Sequence, residues 1–179
     1  TRRSSDLCLP MSLMGQAGKP SACETDVMGA LTMYAMQLAS NSPSGYLDWN
    51  NNYDDDRDAC ICVHCSNYPK GFIGHDDLEI GNLDILGENL GACNCFGGIK
   101  AKVAPGPMTF CKISTDDTRG VIRAYVGEGE FLDAPVETVG GVAVCRVPDL
   151  QGLLRHLCRN GFEHHVAMNR GHVAAVLAE

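Results

Sequence analysis

Apolar residues recur at helical spacing near the start of the chain, at Val27, Leu31, Tyr34 and Leu38. This period of three to four residues predicts an amphipathic helix, and the following Pro43 and Gly45 predict its end shortly after Ser40. Ser21 and Glu24 precede the pattern with the spacing of a capping box. In this motif the glutamate side chain accepts a hydrogen bond from the backbone N–H of the N-cap residue. The sequence therefore predicts a helix over residues 21–40.

Five short runs further along have the composition of β-strands. They are rich in β-branched residues and separated by Gly, Pro or Asp, as is typical of strands joined by tight turns. The runs cover residues 59–65, 97–105, 107–114, 120–129 and 140–148. Runs this close together favour an antiparallel barrel or sandwich.

The C-terminal part of the chain has clear secondary-structure signals, whereas the N-terminal part does not. Leucines at helical spacing indicate a second helix from Asp149, its N-cap, to Arg159, and a strand-like segment, a turn at Gly171 and the start of a helix follow. Residues 1–20 show no clear period, so we expect a connecting segment there.

Composition and charge limit the function. A chain of 179 residues with 45% hydrophobic and 20% charged residues is typical of a soluble protein with one main core. No apolar run approaches the roughly 18 residues that predict a membrane span. The net charge of -8, with only 14 Lys and Arg, argues against a nucleic-acid surface. A small molecule or another protein is the expected partner.

The 10 cysteines raise the questions of disulfides and of zinc. No signal peptide is visible and several cysteines lie in apolar patterns, so we expect reduced, mostly buried thiols in a cytoplasmic protein. A zinc site from Cys60, Cys62, Cys65, Cys93 and Cys95 is disfavoured, because structural zinc sites use well-separated pairs with two to four residues between partners.

Acidic residues and histidines are candidates for a metal site. Glu24 is either a capping residue or a carboxylate ligand held at a helix N-terminus, and Asp48 is either a turn residue or a second ligand. An EF-hand loop starting at Asp48 is excluded, since Tyr53 and Ala59 stand where glycine and glutamate are required. Oxygen and nitrogen ligands of this kind suit Mn, Co or Mg.

Histidines would complete such a site, although a single histidine is usually only a hydrogen-bonded residue. His164 and His165 are adjacent, so on an extended strand they should point to opposite faces, and only one should enter a given pocket. His64, at the end of a predicted strand, is a further candidate.

Several stretches in order resemble the C-terminal half of the L-fucose and L-arabinose isomerase family. They are "CETDVMGALTMYAMQLAS" (23–40), "DWNNNYDDDRDACICVHCSN" (48–67), "PGPMTFCKISTDD" (105–117), "RAYVGEGEF" (123–131) and "NGFEHHVAMNRGHVA" (160–174). The resemblance implies an aldose-ketose isomerase with a divalent cation, typically Mn²⁺ and otherwise Co²⁺ or Mg²⁺. Carried over by motif, the metal ligands are Glu24, Asp48 and His165, and the two carboxylates are also catalytic. Substrate contacts are expected from His64, Ser66 and His164.

The resemblance also implies an α+β, mainly β fold. Residues 1–40 would be the tail of an otherwise absent α/β domain, and residues 41–179 a six-stranded Greek-key β-barrel. The substrate would be an aldose or ketose like L-fucose or L-arabinose, and the complete protein a homo-oligomer, as in the hexamers of the family. The isolated chain is expected to be inactive. The alternative function is a non-catalytic sugar-binding or metal-binding assembly module of a larger protein.

Overall fold

The computed structural model describes residues 7–65, 67–137 and 140–178. The helices are α1 (Cys8–Gln16), α2 (Val27–Ser40), α3 (Lys70–Ile73), α4 (Asp84–Leu90), α5 (Leu150–Arg159) and α6 (Ala174–Leu177), with a 3-10 turn at Ala92–Asn94. The strands are β1 (Gly45–Tyr53), β2 (Asp56–His64), β3 (Glu79–Asn82), β4 (Phe96–Lys102), β5 (Gly106–Asp116), β6 (Val121–Phe131), β7 (Gly141–Arg146) and β8 (His165–Arg170). Of the helices in these ranges, none has the length and apolar character needed to cross a membrane.

The eight strands form one sheet in which six of them close a ring. The ring runs β2-β1-β8-β5-β6-β7, and β7 returns to pair with β2. All six pairings within the ring are antiparallel. Strand β4 joins β7 in parallel outside the ring, and β3 pairs with β4. The mainly β, mixed architecture is thus confirmed, whereas its Greek-key description stays a prediction.

Each of the five predicted runs overlaps a strand, and the predicted C-terminal strand is β8. Strand β1 was not among these runs, and Asp48, for which one interpretation was a turn residue, lies within it. The strand continues through Asn50, Asn51 and Asn52, which are polar and exposed and so give no strand pattern. The expectation of a connecting segment over residues 1–20 is wrong, since α1 lies there and contributes the buried residues Cys8, Ser12 and Gly15. The sequence of α1 shows no apolar period because only these three of its residues are buried, and two of them are Ser and Gly.

The main core lies within the ring and beneath α3 and α5. Large buried side chains fill it, among them Leu47, Phe72, Met108, Phe131, Val166 and Met168. Helix α2 packs on the other face of β1, β5 and β8, where Met33 and Met36 contact Tyr46, Cys111 and Ala167. The alternation of side chains along β1 and β8 therefore assigns Leu47 and Val166 to the ring core, and Tyr46 and Ala167 to the layer under α2.

Helix α2 differs from its prediction at its start and in its buried face. It begins at Val27, and Asp26 is its N-cap, with Oδ1 accepting a 2.7 Å hydrogen bond from the Gly29 N–H. The predicted capping box of Ser21 and Glu24 is wrong, because Glu24 lies outside the helix with a left-handed φ of 58°. All four apolar residues that predicted the helix have exposed side chains: Val27, Leu31, Tyr34 and Leu38.

The cysteines agree with the prediction of reduced thiols. Throughout the described ranges, none of the 10 cysteines takes part in a disulfide, which confirms that expectation. The five cysteines weighed for zinc are divided among separate places. Cys60 and Cys62 lie in the ring core with their sulfurs 3.7 Å apart, and Cys93 is exposed. Cys95 packs with Cys8 outside the ring, and the half-buried Cys65 packs against that cluster.

Candidate metal centre

The ladder between β1 and β8 brings Asp48 opposite His165. Directly opposed residues of antiparallel strands project to the same face with Cβ atoms about 5 Å apart, and here that face lies under the start of α2. The Oδ1 atom of Asp48 is 3.4 Å from Nε2 of the buried His165. Backbone pairing, rather than a flexible loop, therefore sets the position of both side chains.

Glu24 reaches the same imidazole nitrogen from the segment before α2. Its Oε2 atom lies 3.7 Å from Nε2 of His165. The left-handed backbone at Glu24 and Thr25, with φ of 58° and 59°, turns the chain sharply between Cys23 and the N-cap of α2. The Glu24 side chain is 69% exposed, so it closes the solvent side of the cluster.

The other imidazole nitrogen of His165 faces a third carboxylate. Asp26 Oδ2 lies 3.5 Å from Nδ1 of His165. A carboxylate at this position orients a ligating histidine and leaves Nε2 to a metal ion, as outer-shell carboxylates do in many metalloenzymes. Asp26 was not among the predicted site residues, although an aspartate just before the apolar helical pattern is a possible N-cap signal.

Asp26 is held as an anion by its neighbours. Burial opposes its ionisation, but the Lys112 ammonium, the Tyr46 hydroxyl and the Gly29 N–H outweigh burial and lower its pKa to about 2. Lys112 Nζ donates to Oδ2 at 2.6 Å, and the hydroxyl of Tyr46 donates to the same oxygen. Burial, and then the bond to Asp26, raise the pKa of Tyr46 far above its usual range. Tyr46 is therefore a neutral donor.

Lys112 was also missed by sequence analysis. Its side chain is fully buried and pairs with Glu163 Oε2 at 3.1 Å as well as with Asp26. A lone lysine in a strand-like run carries no sequence signal for such a role. Two carboxylates on one buried ammonium connect β5, the segment before β8 and the start of α2 behind His165.

The donor atoms at the centre fit a divalent cation. Among the residues that the structure describes, Asp48 Oδ1 and His165 Nε2 are buried side-chain atoms that form no hydrogen bond, although they lie side by side. Buried polar atoms without partners are costly, and a bound cation would satisfy both. Two carboxylates and one imidazole favour a hard or borderline ion such as Mn²⁺, Co²⁺ or Mg²⁺.

His164 also lies close to Asp48, and both histidines line one cavity, which corrects the expectation that only one of them would enter a given pocket. Its Nε2 atom lies 3.8 Å from Asp48 Oδ1, and its ring centroid is 4.3 Å from that of His165. The alternation of strand side chains begins only at His165, because His164 sits in the bend before β8. His164 is 62% exposed, so it lies at the mouth of the centre.

The remaining predicted residues lie around this centre or outside the described part of the chain. His64, at the end of β2, is buried with its ring centroid 5.9 Å from that of His165. Burial lowers the pKa of His64, so its ring is neutral near pH 7. Ser66 lies outside the described residues.

An open cavity of about 500 Å³ lies over the centre. Its lining includes Glu24, Asp26, Met28, Glu163, His164 and His165. A volume of this order is in the range of small-molecule sites.

A comparison with known families agrees with these observations. The family model described as L-fucose isomerase, C-terminal domain, matches residues 62–179. The chain belongs to this family. No curated protein matches the chain. His64, His164 and His165 lie inside the matched region, whereas Glu24 and Asp48 precede it. The family connects the chain to sugar isomerases and carbohydrate metabolism.

Proposed function

We propose that the chain supplies the metal-binding part of an aldose-ketose isomerase that acts on sugars like L-fucose or L-arabinose. The observation that carries the proposal is the convergence of Glu24 and Asp48, at 3.7 Å and 3.4 Å, on Nε2 of His165. The proposed ligands of the cation are these three residues, with Mn²⁺ preferred and Co²⁺ or Mg²⁺ as alternatives.

The reaction requires proton carriers beside two neighbouring carbons. An aldose becomes a ketose through an ene-diol in which both carbons carry a hydroxyl: C2 loses a proton and C1 gains one, while O1 gains a proton and O2 loses one. Glu24 and Asp48 can each accept or return a proton, and carboxylates on two sides of the C1–C2 bond suit this transfer. Neither carboxylate is consumed, because the proton taken from C2 is balanced by the one given to C1.

Other groups hold this arrangement in place. When bound, a divalent cation would stabilise the negative charge that develops on the two sugar oxygens. Asp26 holds the imidazole of His165, and Lys112 with Tyr46 holds Asp26. The proposed sugar contacts are His164 at the mouth, the buried His64 near His165 and, from the sequence, Ser66.

The exposure of the centre supports the proposal that further domains or subunits cover it. Glu24 is 69% exposed and the cavity is open, whereas orientation and exclusion of water contribute strongly to such catalysis. We therefore expect little turnover by this chain alone. The exposed apolar stripe of α2 supports packing against a further α/β domain or another subunit of a cytoplasmic homo-oligomer. The closed ring supports the proposed Greek-key barrel.

Manganese binding tests the proposed ligands directly. The signal of free Mn²⁺ in electron paramagnetic resonance should fall when wild-type chain is added, and much less with Glu24→Gln or Asp48→Asn. Glu88→Gln removes an exposed acid of α4 and should bind as wild type does. Equal binding by wild type and both site variants would remove Glu24 and Asp48 from the centre.

Ketose formation tests the activity. With Mn²⁺ present, the intact gene product should convert L-fucose or L-arabinose to the ketose, and Glu24→Gln or Asp48→Asn in that protein should lower kcat at least about a hundredfold, as loss of a general acid or base does. The 179-residue chain alone should show little conversion. Undiminished turnover in both variants would contradict the mechanism, and robust turnover by the chain would contradict the need for further covering domains.

A further inference from the structure

A second cluster of metal-ligating side chains lies beside the candidate centre and is chemically different from it. One ligand atom each from Cys23, His64 and Cys65 lies within 4.8 Å of the others. Cys8 lines the same cavity as these three residues. We propose that Cys23, Cys65 and Nδ1 of His64 form a binding site for a thiophilic metal ion such as Zn²⁺, with Cys8 as the neighbouring thiol that completes the shell. Nε2 of His64 is then left for the proposed sugar contact.

The observed separations are close to those that zinc requires. With bonds of about 2.3 Å to sulfur and about 2.0 Å to nitrogen, tetrahedral geometry places sulfur about 3.5 Å from nitrogen and about 3.8 Å from another sulfur. The sulfur of Cys65 lies 3.6 Å from Nδ1 of His64. The ligand atom of Cys23 lies within 4.8 Å of those of Cys65 and His64, so rotations of these side chains bring the three donors into place.

Burial makes the cluster a suitable metal site. Cys8, Cys23 and His64 are 3%, 8% and 5% exposed, and Cys65 is half-buried. A thiol must lose its proton to bind an ion, so metal binding here would release protons, and the neutral imidazole is the form that binds a metal.

The cluster escapes recognition in the sequence because its members come from three distant segments. Cys8 opens α1, Cys23 lies before α2, and His64 with Cys65 ends β2. No pair of cysteines in it has the short spacing of a zinc motif. Of the five cysteines considered for zinc from sequence, only Cys65 belongs to it.

An ion here would fasten the N-terminal segments to the ring. Cys23 is the neighbour of Glu24, and a cavity of about 670 Å³ lined by Cys8, Cys23 and Cys65 also reaches Glu24 and Asp48. The thiol site would therefore hold the turn that presents Glu24 to His165. It differs from the oxygen-rich centre in ligand type, since thiolates select softer ions than carboxylates do.

Cobalt is a suitable probe because thiolate-bound Co²⁺ gives charge-transfer absorption in the near ultraviolet that oxygen ligands do not. The chain is first reduced, and a thiol assay must count its 10 cysteines. One equivalent of Co²⁺ should then give the thiolate band, and Zn²⁺ should abolish it. Cys23→Ala and Cys65→Ala should weaken binding at least about tenfold, since even outer-shell changes cost that much.

Two further variants distinguish this site from binding at any buried thiol and from the isomerase centre. Cys111→Ala removes another buried thiol, which lies under α2, and should keep the band. Glu24→Gln should also keep the thiolate band but should bind Mn²⁺ less well. The two measurements therefore distinguish failure of the thiol site from failure of the isomerase centre. A band that survives in both Cys23→Ala and Cys65→Ala would overturn the proposal.

X-ray absorption of the wild type loaded with Zn²⁺ provides a result that does not depend on the folding of variants. The expected first shell contains two or three sulfurs at about 2.3 Å together with nitrogen. A shell of oxygen and nitrogen alone, or the absence of a thiolate band with Co²⁺ in the reduced wild type, would show that the four residues are only buried side chains.

Discussion

Asp48 and His165 are direct partners in the β1–β8 ladder, and Oδ1 of one lies 3.4 Å from Nε2 of the other. A ladder fixes the distance between opposed Cβ atoms more tightly than a loop can. The third proposed ligand, Glu24, comes instead from a turn with left-handed backbone. The centre thus combines a rigid pair on two strands with one carboxylate whose position depends on the segment before α2.

Asp26 should make the stability of the chain depend on pH in the acid range. Its pKa falls from 3.8 to about 2 on folding, so its contribution is complete above about pH 5 and is lost as the pH falls toward 2. Partial exposure reduces the contribution to about 1 to 2 kcal/mol. Urea unfolding with a chelator present should show the difference between wild type and Asp26→Asn shrinking from pH 6 to pH 2. A constant difference would contradict this assignment.

Lys112→Met should destabilise the chain by about 3 kcal/mol, because it leaves Asp26 and Glu163 without the buried ammonium between them. Lys100→Met is the matched control. Its partner Asp84 is 70% exposed, so the loss should stay below about 1 kcal/mol. Chemical denaturation of both variants measures the two losses. Equal losses would show that the buried pairing contributes no more than a surface ion pair.

Gly29→Ala should destabilise the chain by about 2 kcal/mol, although alanine is the better helix former. A Cβ atom at Gly29 would overlap the hydroxyl and ring of Tyr46, which would have to leave Asp26. Gly87→Ala in α4 meets nothing closer than 3.5 Å and should be neutral or stabilising. Thermal unfolding of the two variants gives the comparison, and the prediction fails if both behave alike.

Truncation of two apolar residues of α2 should change the free energy of unfolding by very different amounts. Met33 is fully buried against the ring, so Met33→Ala should cost about 2 to 5 kcal/mol. Leu38 is 65% exposed, so Leu38→Ala should change the free energy of unfolding by no more than about 0.5 kcal/mol. Chemical denaturation of both variants tests these values. A large loss for Leu38→Ala would mean that the exposed stripe is covered within this chain.

Local signals in the sequence determined much of the fold. Helix α5 was predicted with its N-cap because Asp149 accepts a hydrogen bond from the Gly152 N–H within one turn, an interaction that needs no distant partner. The strands were predicted because β-branched runs between turn residues favour extended backbone over a few residues. The family was also recognisable, since its motifs are linear segments of sequence.

Tertiary structure decided which face of α2 is buried and where that helix begins. The stronger apolar stripe, which includes Val27 and Leu31, faces solvent, while the small residues Gly29 and Thr32 allow close packing on the ring. The choice of Asp26 over Ser21 as N-cap follows from Lys112 and Tyr46, both of which bind Asp26 from distant strands. A capping pattern read locally cannot include those partners.

The two clusters of ligating residues also combine features that the sequence determined with features that only the tertiary structure decided. The sequence determined that Glu24, Asp48 and the paired histidines were candidates, because these residue types suit a divalent cation and match family motifs. Only the folded chain brought Asp26 and Lys112 behind His165 and gathered Cys8 and Cys23 beside the end of β2. The physical reason is that the ring closure and the packing of α1 and α2 on it join residues far apart in sequence, and no local period or spacing records such contacts.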